Sequence, residues 1–158
     1  MQVTARPATA DDHQTLVDLY RKMEAEQVEL KPMWRLADGL PEPVDAALKE
    51  AVADDETIVV IGQIDGVPLG FAIAGTDPLL PQADGEQIGV VRYLFTDHEA
   101  REVGVAEAMA DLVLGRLQEQ GLRRFDVRVL PGHRLAKNFF EANGFSARLI
   151  VMHRDDTK

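Results

Sequence analysis

The chain has no cysteine among its 158 residues. Disulfides, thiolate zinc sites and a cysteine nucleophile are therefore excluded. Aromatic residues are scarce, at 6%, with a single tryptophan. No apolar run approaches the roughly 20 residues that span a bilayer. The opening MQVTARPATADD lacks the apolar stretch of a signal peptide. A cytoplasmic protein with no membrane partner and no metal is the expectation. Basic residues are also in short supply, with 17 Lys and Arg against 27 Asp and Glu, a formal net charge of -10. Nucleic acid requires a basic footprint, so it is not an expected partner. The acidity suits solubility first, and could also steer a cationic substrate.

The length fits one domain, residues 1–158. Val3 and Ala5 before Arg6-Pro7 suggest a short first strand. Thr9 reads as a helix N-cap, with Asp11 and Asp12 where the helix dipole favours acids. Leu16, Val17, Leu19, Tyr20 and Met23 recur at helical spacing, which predicts a helix from about Ala10 to Glu26. ELKPMWRLADGLPEP, with three prolines and a glycine, predicts a loop. Its Trp34 suits either the lining of a substrate pocket or the edge of the core. A second helix follows Pro43 through Val44, Ala47, Leu48 and Val52. In TIVVIGQIDGVPLGFAIAGT, two β-branched runs flank Asp65-Gly66, which predicts a tight hairpin. After a loop from Pro78 to Gly85, QIGVVRYLFTD is a further strand.

From Arg101 the period becomes helical, through Val105, Met109, Leu112, Val113 and Leu117, with Gly121 placed to end the helix. Phe125, Val127 and Val129 alternate with Asp126 and Arg128 as in a strand. Beyond Pro131-Gly132 a short helix carries Leu135, Ala136, Phe139 and Phe140 and ends at Asn143-Gly144. RLIVMHR reads as the last strand. The order β-α-α-β-β-β-α-β-α-β predicts an α/β (α+β) fold, a mixed sheet with helices on both faces.

The turn between Phe95 and Val105 carries the chemistry. A helix N-terminus presents unpaired N–H groups and a partial positive charge, which together bind anions. Gly104 lets backbone approach a ligand. Ala106 is nearly as small, and Arg101 adds a fork of donors suited to phosphate. A plain βα turn packed on a glycine fits the same six residues. The spacing matches neither Gly-x-Gly-x-x-Gly nor the P-loop.

Arg101-Glu-Val-Gly104-Val-Ala106 resembles the Gln/Arg-x-x-Gly-x-Gly/Ala signature of the GNAT superfamily of N-acetyltransferases. HRLAKNFFEANGF, His133 to Phe145, is similar to that family's Asn-x-x-Ala-x-x-Phe-Tyr-Glu-x-x-Gly-Phe segment. ARPATADDHQTLVDLY and IDGVPLGFAIA also resemble its elements, in the right order. The resemblance implies a sheet of six to seven strands splayed between strands 4 and 5, with acetyl-CoA in the V. It places the pyrophosphate on the amides of Arg101, Glu102, Val103, Gly104, Val105 and Ala106. The pantetheine arm would run beside Leu94, Phe95 and Thr96. His133, Ala136, Phe139 and Phe140 would cover its other side, with Arg134 and Lys137 either reaching CoA phosphates or forming a solvated face. A homodimer is the oligomeric state the resemblance suggests.

The implied activity is transfer of acetyl from acetyl-CoA directly to a primary amine of a small molecule or peptide. The alternative is a catalytically weak or inactive acyl-CoA-binding regulatory module. Wider acyl groups, such as succinyl, are also open. Two departures bear on this choice. Phe140 stands where many members have the tyrosine assigned to protonate the CoA thiolate, and His133 stands in place of asparagine. His133 is either a polar contact or proton donor, or a solvated helix-start residue. A glutamate serves as base on the fourth strand of some members, and here that position falls at Val90. Glu86, at the start of the strand, ranks first as the base, with Asp97 and His98 at its other end. Mid-strand Arg92 suits either a substrate carboxylate or an acid on a neighbouring strand. The acceptor would be set by the loops Glu29 to Pro43 and Pro78 to Gly85.

Overall fold

The computed structural model describes residues 1–30, 39–129 and 133–157. Trp34 and Pro131-Gly132 lie outside them. Five strands form one sheet: β1 (Val3–Pro7), β2 (Ile58–Ile64), β3 (Val67–Pro78), β4 (Gln87–Thr96) and β5 (Phe125–Val127), in that spatial order. The first four pair antiparallel and β5 joins β4 in parallel. Helix α1 (His13–Leu30) and α2 (Val44–Ala53) follow β1. The parallel crossover is α3 (Val105–Glu119), and α4 (Arg134–Ala142) follows β5.

The hairpin forms for the reason its sequence suggests. Asp65 and Gly66 both take positive φ, 49° and 81°, which a two-residue turn between right-twisted strands requires. The first helix starts with a 3-10 turn over Ala10–Asp12 and extends one turn beyond Glu26, to Leu30. Asp12 is buried in that turn. Its carboxylate accepts the Thr9 N–H and both Arg6 Nη groups, each at 2.8 Å, so the helix start is tied to β1. α3 ends in a Schellman cap: Gly121 N–H bonds Gln118 O, and Leu122 N–H bonds Leu117 O.

Two cores sandwich the sheet. On one face α1 and α2 bury Leu16, Tyr20, Met23, Val44 and Leu48 against Ile61, Phe71, Tyr93 and Phe95. On the other, Val105, Met109, Val113 and Leu117 of α3 pack on Val60, Ala72, Ala74 and Val91. α3 sits low on the sheet because two paired strand residues are glycines. A Cβ on Gly62 would stand 2.7 Å from Val105 Cγ1 and 2.8 Å from Met109 Sδ. One on Gly70 would stand 2.8 Å from Met109 Cε and 2.7 Å from the Phe95 carbonyl. These glycines fix how closely the N-terminal turn of α3 approaches the strands.

The described sheet has five strands rather than six to seven. β5 is three residues long and ends before Val129, and RLIVMHR is not a strand. Leu149, Ile150, Val151 and Met152 are 72–87% exposed. An apolar run favours strand only where a neighbour supplies a ladder and a packing surface, and β5 offers an edge of three residues. The segment's tie to that strand is a side-chain one: Arg148 makes a two-pronged ion pair with Asp126.

Candidate active site

Opposite Ile73 stands Tyr93, and opposite Ala74 stands Val91, so Arg92 has no partner on β3. This is a β-bulge, which bends a strand and disrupts its ladder. On its other side β4 pairs with β5 only at Gly89–Phe125, Val90–Asp126 and Val91–Val127. Pairing therefore stops one residue before the bulge. From Arg92 to Thr96, β4 has β3 on one side and, among the described residues, no strand on the other. Unpaired N–H and C=O groups along such an edge are ready to accept an added extended chain.

A cleft opens along this edge. Leu94, Phe95 and Thr96 line it from β4, and Val127, Arg128 and Val129 from β5 and the residues after it. Met23, Glu26 and Gln27 of α1 close one side, with His133, Ala136, Phe139 and Phe140 of α4. Thr96 Oγ1 and Gln27 Oε1 are buried in its walls without a hydrogen-bond partner among the described residues. Leaving such a group unsatisfied costs about 1–3 kcal/mol, so two in one cleft point to a polar ligand.

The cleft runs into the turn before α3. Gly104 has φ +99°, which only glycine adopts readily, and a Cβ there would meet nothing nearer than Glu107 Oε2 at 3.5 Å. The backbone conformation therefore demands the glycine, and the space beside it stays open. Ala108 N–H makes the first intrahelical bond, to Gly104 O. The N–H groups of Val105, Ala106 and Glu107 precede it and have no intrahelical acceptor. Among the described residues, no side chain caps this end. Uncapped amides at the positive end of a helix dipole are able to receive an anion.

Arg101 plays a different part from the expected one. Its Nε donates to Thr96 O at 3.1 Å, its Nη2 pairs with Glu26 Oε2, and its guanidinium lies 5.8 Å from the Phe95 ring centroid. It braces α1 against the end of β4, and Glu26 offsets its charge. Glu102 and Glu107 also line this end, so any anion here depends on the amides. His133 Nδ1 accepts the Ala136 N–H at 3.3 Å and caps α4, while Nε2 faces Glu26 Oε1 at 4.0 Å. In the neutral ring that cap leaves the proton on Nε2, which makes His133 a donor toward the cleft. The Phe140 ring is held edge-on between Phe139 and Phe145, with centroids 5.1 and 5.3 Å away.

The sequence profile of the Acetyltransferase (GNAT) family matches residues 13–145. The chain belongs to the GNAT acetyltransferase family. No curated protein matches it. A tetramutant of the BH1408 protein from Bacillus halodurans has the same fold, at TM-score 0.82 and 16% identity, covering 98% of this chain and 99% of that one. The aminoglycoside N-acetyltransferase AAC(6')-Iy, in complex with the bisubstrate analogue CoA-S-monomethyl-acetylneamine, superposes at 0.74 with 20% identity, covering 98% and 99%. A ribosomal-protein-alanine N-acetyltransferase from Brucella melitensis biovar Abortus 2308 gives 0.72 with 15% identity, also over 98% and 99%.

Most residues that the GNAT motifs single out come together. Leu94, Phe95, Thr96, Arg101, Glu102, Gly104, Ala106, His133, Ala136, Phe139 and Phe140 all line the cleft. Val105 does not; its side chain is buried on the sheet and only its amide lies at the turn. Val103 is partly exposed outside the lining. Glu86 is not in the cleft at all. It lines a separate cavity and pairs with Arg124 at 3.1 Å. It directly precedes β4, at the opposite end of that strand from Thr96. Asp97 is buried and holds Lys22 at 2.7 Å, which keeps its carboxyl below the usual carboxylate range; His98 pairs with it. Lys137 pairs with Glu141 on the exposed face of α4. Glu26 and Gln27 are cleft residues that the motifs do not mark. Their signal is position: with Met23 they continue the buried stripe of α1 at helical spacing, and a polar residue on such a stripe needs a reason.

Proposed function

We propose that the chain transfers acetyl from acetyl-CoA directly to a primary amine. One observation carries this reading: a strand edge freed by the bulge at Arg92 leads straight to the uncapped amides of a glycine turn. An extended, amide-containing arm ending in a pyrophosphate fits that combination. Acetyl-CoA supplies the activated thioester. Val105, Ala106 and Glu107 amides receive the pyrophosphate, the Leu94–Thr96 edge aligns the arm, and Thr96 Oγ1 and Gln27 Oε1 are available to its polar groups. The thioester then lies toward the bulge, where the amine approaches. The neutral amine nitrogen bonds to the carbonyl carbon, the C–S bond breaks, the sulfur leaves with the electron pair, and the proton that the nitrogen sheds balances the one the thiolate takes up. Holding both reactants in line supplies much of the rate. With no cysteine in the chain, transfer needs no acyl-enzyme.

A second reading, an acyl-CoA-binding regulatory module, draws on Phe140, an apolar ring in the cleft. Turnover separates the two. Incubation with acetyl-CoA and a panel of amines is expected to release thiol. Tight CoA binding without release across the panel would leave only the module. The cradle has its own test. Gly104→Asp sets a side chain and a negative charge at the open position and should abolish CoA binding by calorimetry. An unchanged affinity in the folded variant would refute the assignment.

A further inference from the structure

We propose that Arg92 and Arg128 form an acceptor subsite, and that the acceptor is an amine carrying a carboxylate. This rests on the acetyltransferase reading and names its substrate class.

Val91–Val127 is the last pair between β4 and β5. Arg92 is the next residue on β4 and Arg128 directly follows β5, so they flank the point where the sheet opens. Both line the cleft. They lie at its far end from the anion-binding amides, where the reacting carbonyl and the incoming amine meet. The bulge explains why Arg92 can reach across: it lies over Gly75, with Nη2 3.4 Å from where a Cβ would be, and bonds Asp77 Oδ1 at 2.8 Å. That bond uses one of its five N–H groups. Arg128 is exposed and makes no hydrogen bond or ion pair among the described residues, and its pull joins that of Arg92 on Asp77. Asp77 bonds Arg92 alone and feels Arg128 only through space, so two guanidinium groups face one nearby carboxylate, leaving a net positive charge and free donors on both. A planar fork of this kind is matched by a carboxylate, which accepts two parallel bonds. The chain's overall acidity does not oppose this, because distant charges are screened beyond about 8–10 Å and the two arginines act at contact.

The same carboxylate chemistry could come from the acyl group instead, as in a succinyl donor, and the test separates these sources. Protein saturated with CoA is titrated by calorimetry with amino acids and the amines left by removing their carboxylates: phenylalanine and phenethylamine, leucine and isoamylamine, lysine and cadaverine. At least one amino acid is expected to bind about tenfold or more tighter than its carboxylate-free partner, the scale of a charge-assisted contact. Arg92→Gln and Arg128→Gln should each erase about tenfold of that affinity with CoA affinity unchanged. Asp77→Asn, which frees Arg92, should strengthen it. In turnover, acetyl-CoA with the amino acid should outpace succinyl-CoA with the carboxylate-free amine. No preference within any pair, no amino acid bound, or an effect of the arginines confined to the succinyl donor would overturn the proposal. Those results with CoA binding intact leave the acetyltransferase reading standing; failure of CoA itself to bind removes both.

Discussion

Gly62→Ala tests whether the seat of α3 on the sheet sets the anion site. The added Cβ would stand 2.7 Å from Val105 Cγ1 and 2.8 Å from Met109 Cγ and Sδ. Comfortable carbon contacts are about 3.5–4.0 Å, so the helix must move by roughly 1 Å or the side chains must turn. Met109 is flexible but fully buried, and Val105 is β-branched, fully buried and stiff in a helix. Overpacking of this kind costs about 1–3 kcal/mol, offset by about 0.4–1 kcal/mol from the lost freedom of glycine in the unfolded chain. A net loss of about 1–2 kcal/mol lowers Tm by roughly 2–8 °C at this size. Val105 is the first residue of the helix, so the displacement falls on the uncapped amides. Hydrogen bonds to a charged group contribute about 1.5–3 kcal/mol, and misplacing one should raise the CoA Kd about tenfold. Calorimetry gives both Tm and Kd. Adding Val105→Ala removes the clashing methyl and should restore affinity, though the smaller core keeps Tm low. A folded Gly62→Ala variant with lowered Tm and unchanged Kd would refute the link between helix seating and the anion site.

The Arg6 hydrogen bonds, with the Thr9 amide, hold the Asp12 carboxyl down at about 2, so its contribution of about 2 kcal/mol is present above pH 4 and is lost as pH falls from about 4 toward 2. Urea unfolding of wild type and Asp12→Asn should therefore differ at pH 7, with the gap shrinking to less than half by pH 2.5; an equal gap at both would contradict the pairing. Phe140→Tyr puts a proton donor on a ring in the cleft and should raise kcat for thiol release by about tenfold or more, at constant KM for acetyl-CoA; an unchanged kcat would show that water protonates the thiolate. Glu86→Gln should leave kcat within about twofold, because Glu86 ends an exposed pair away from the cleft; a large loss would restore it as the base.

The features legible in the sequence share a physical character. The Asp65-Gly66 turn, the Gly121 cap and the α2 start depend on backbone preferences of two or three adjacent residues. The seat of α3 depends on Gly62 and Gly70, which lie mid-strand and signal only that something approaches closely. What approaches is Met109, some forty residues on, and no local pattern names it. The bulge at Arg92 is likewise a property of register between two strands. RLIVMHR failed as a strand for the same reason in reverse: its propensity is local, while a strand requires a partner edge that a three-residue β5 does not extend.

The site divides along the same line. Arg101 beside Gly104 suggests a cation aimed at a phosphate. Yet a guanidinium's effect depends on its partner, and that partner is Glu26, 75 residues earlier on α1. With Glu26 in place, Arg101 becomes a brace whose charge is largely offset. The amides of Val105, Ala106 and Glu107 cannot be diverted in this way. Their direction follows from the helix itself, and their openness follows from a glycine at φ +99° that offers no capping side chain. In the proposed site, the part of the motif left open to an anion is therefore the part built from backbone. Its arginine is held by the rest of the fold, and replacing Glu26 with glutamine should return that charge to the cleft and tighten CoA binding. A weaker or unchanged Kd in Glu26→Gln would mean that the brace, rather than the freed charge, governs affinity.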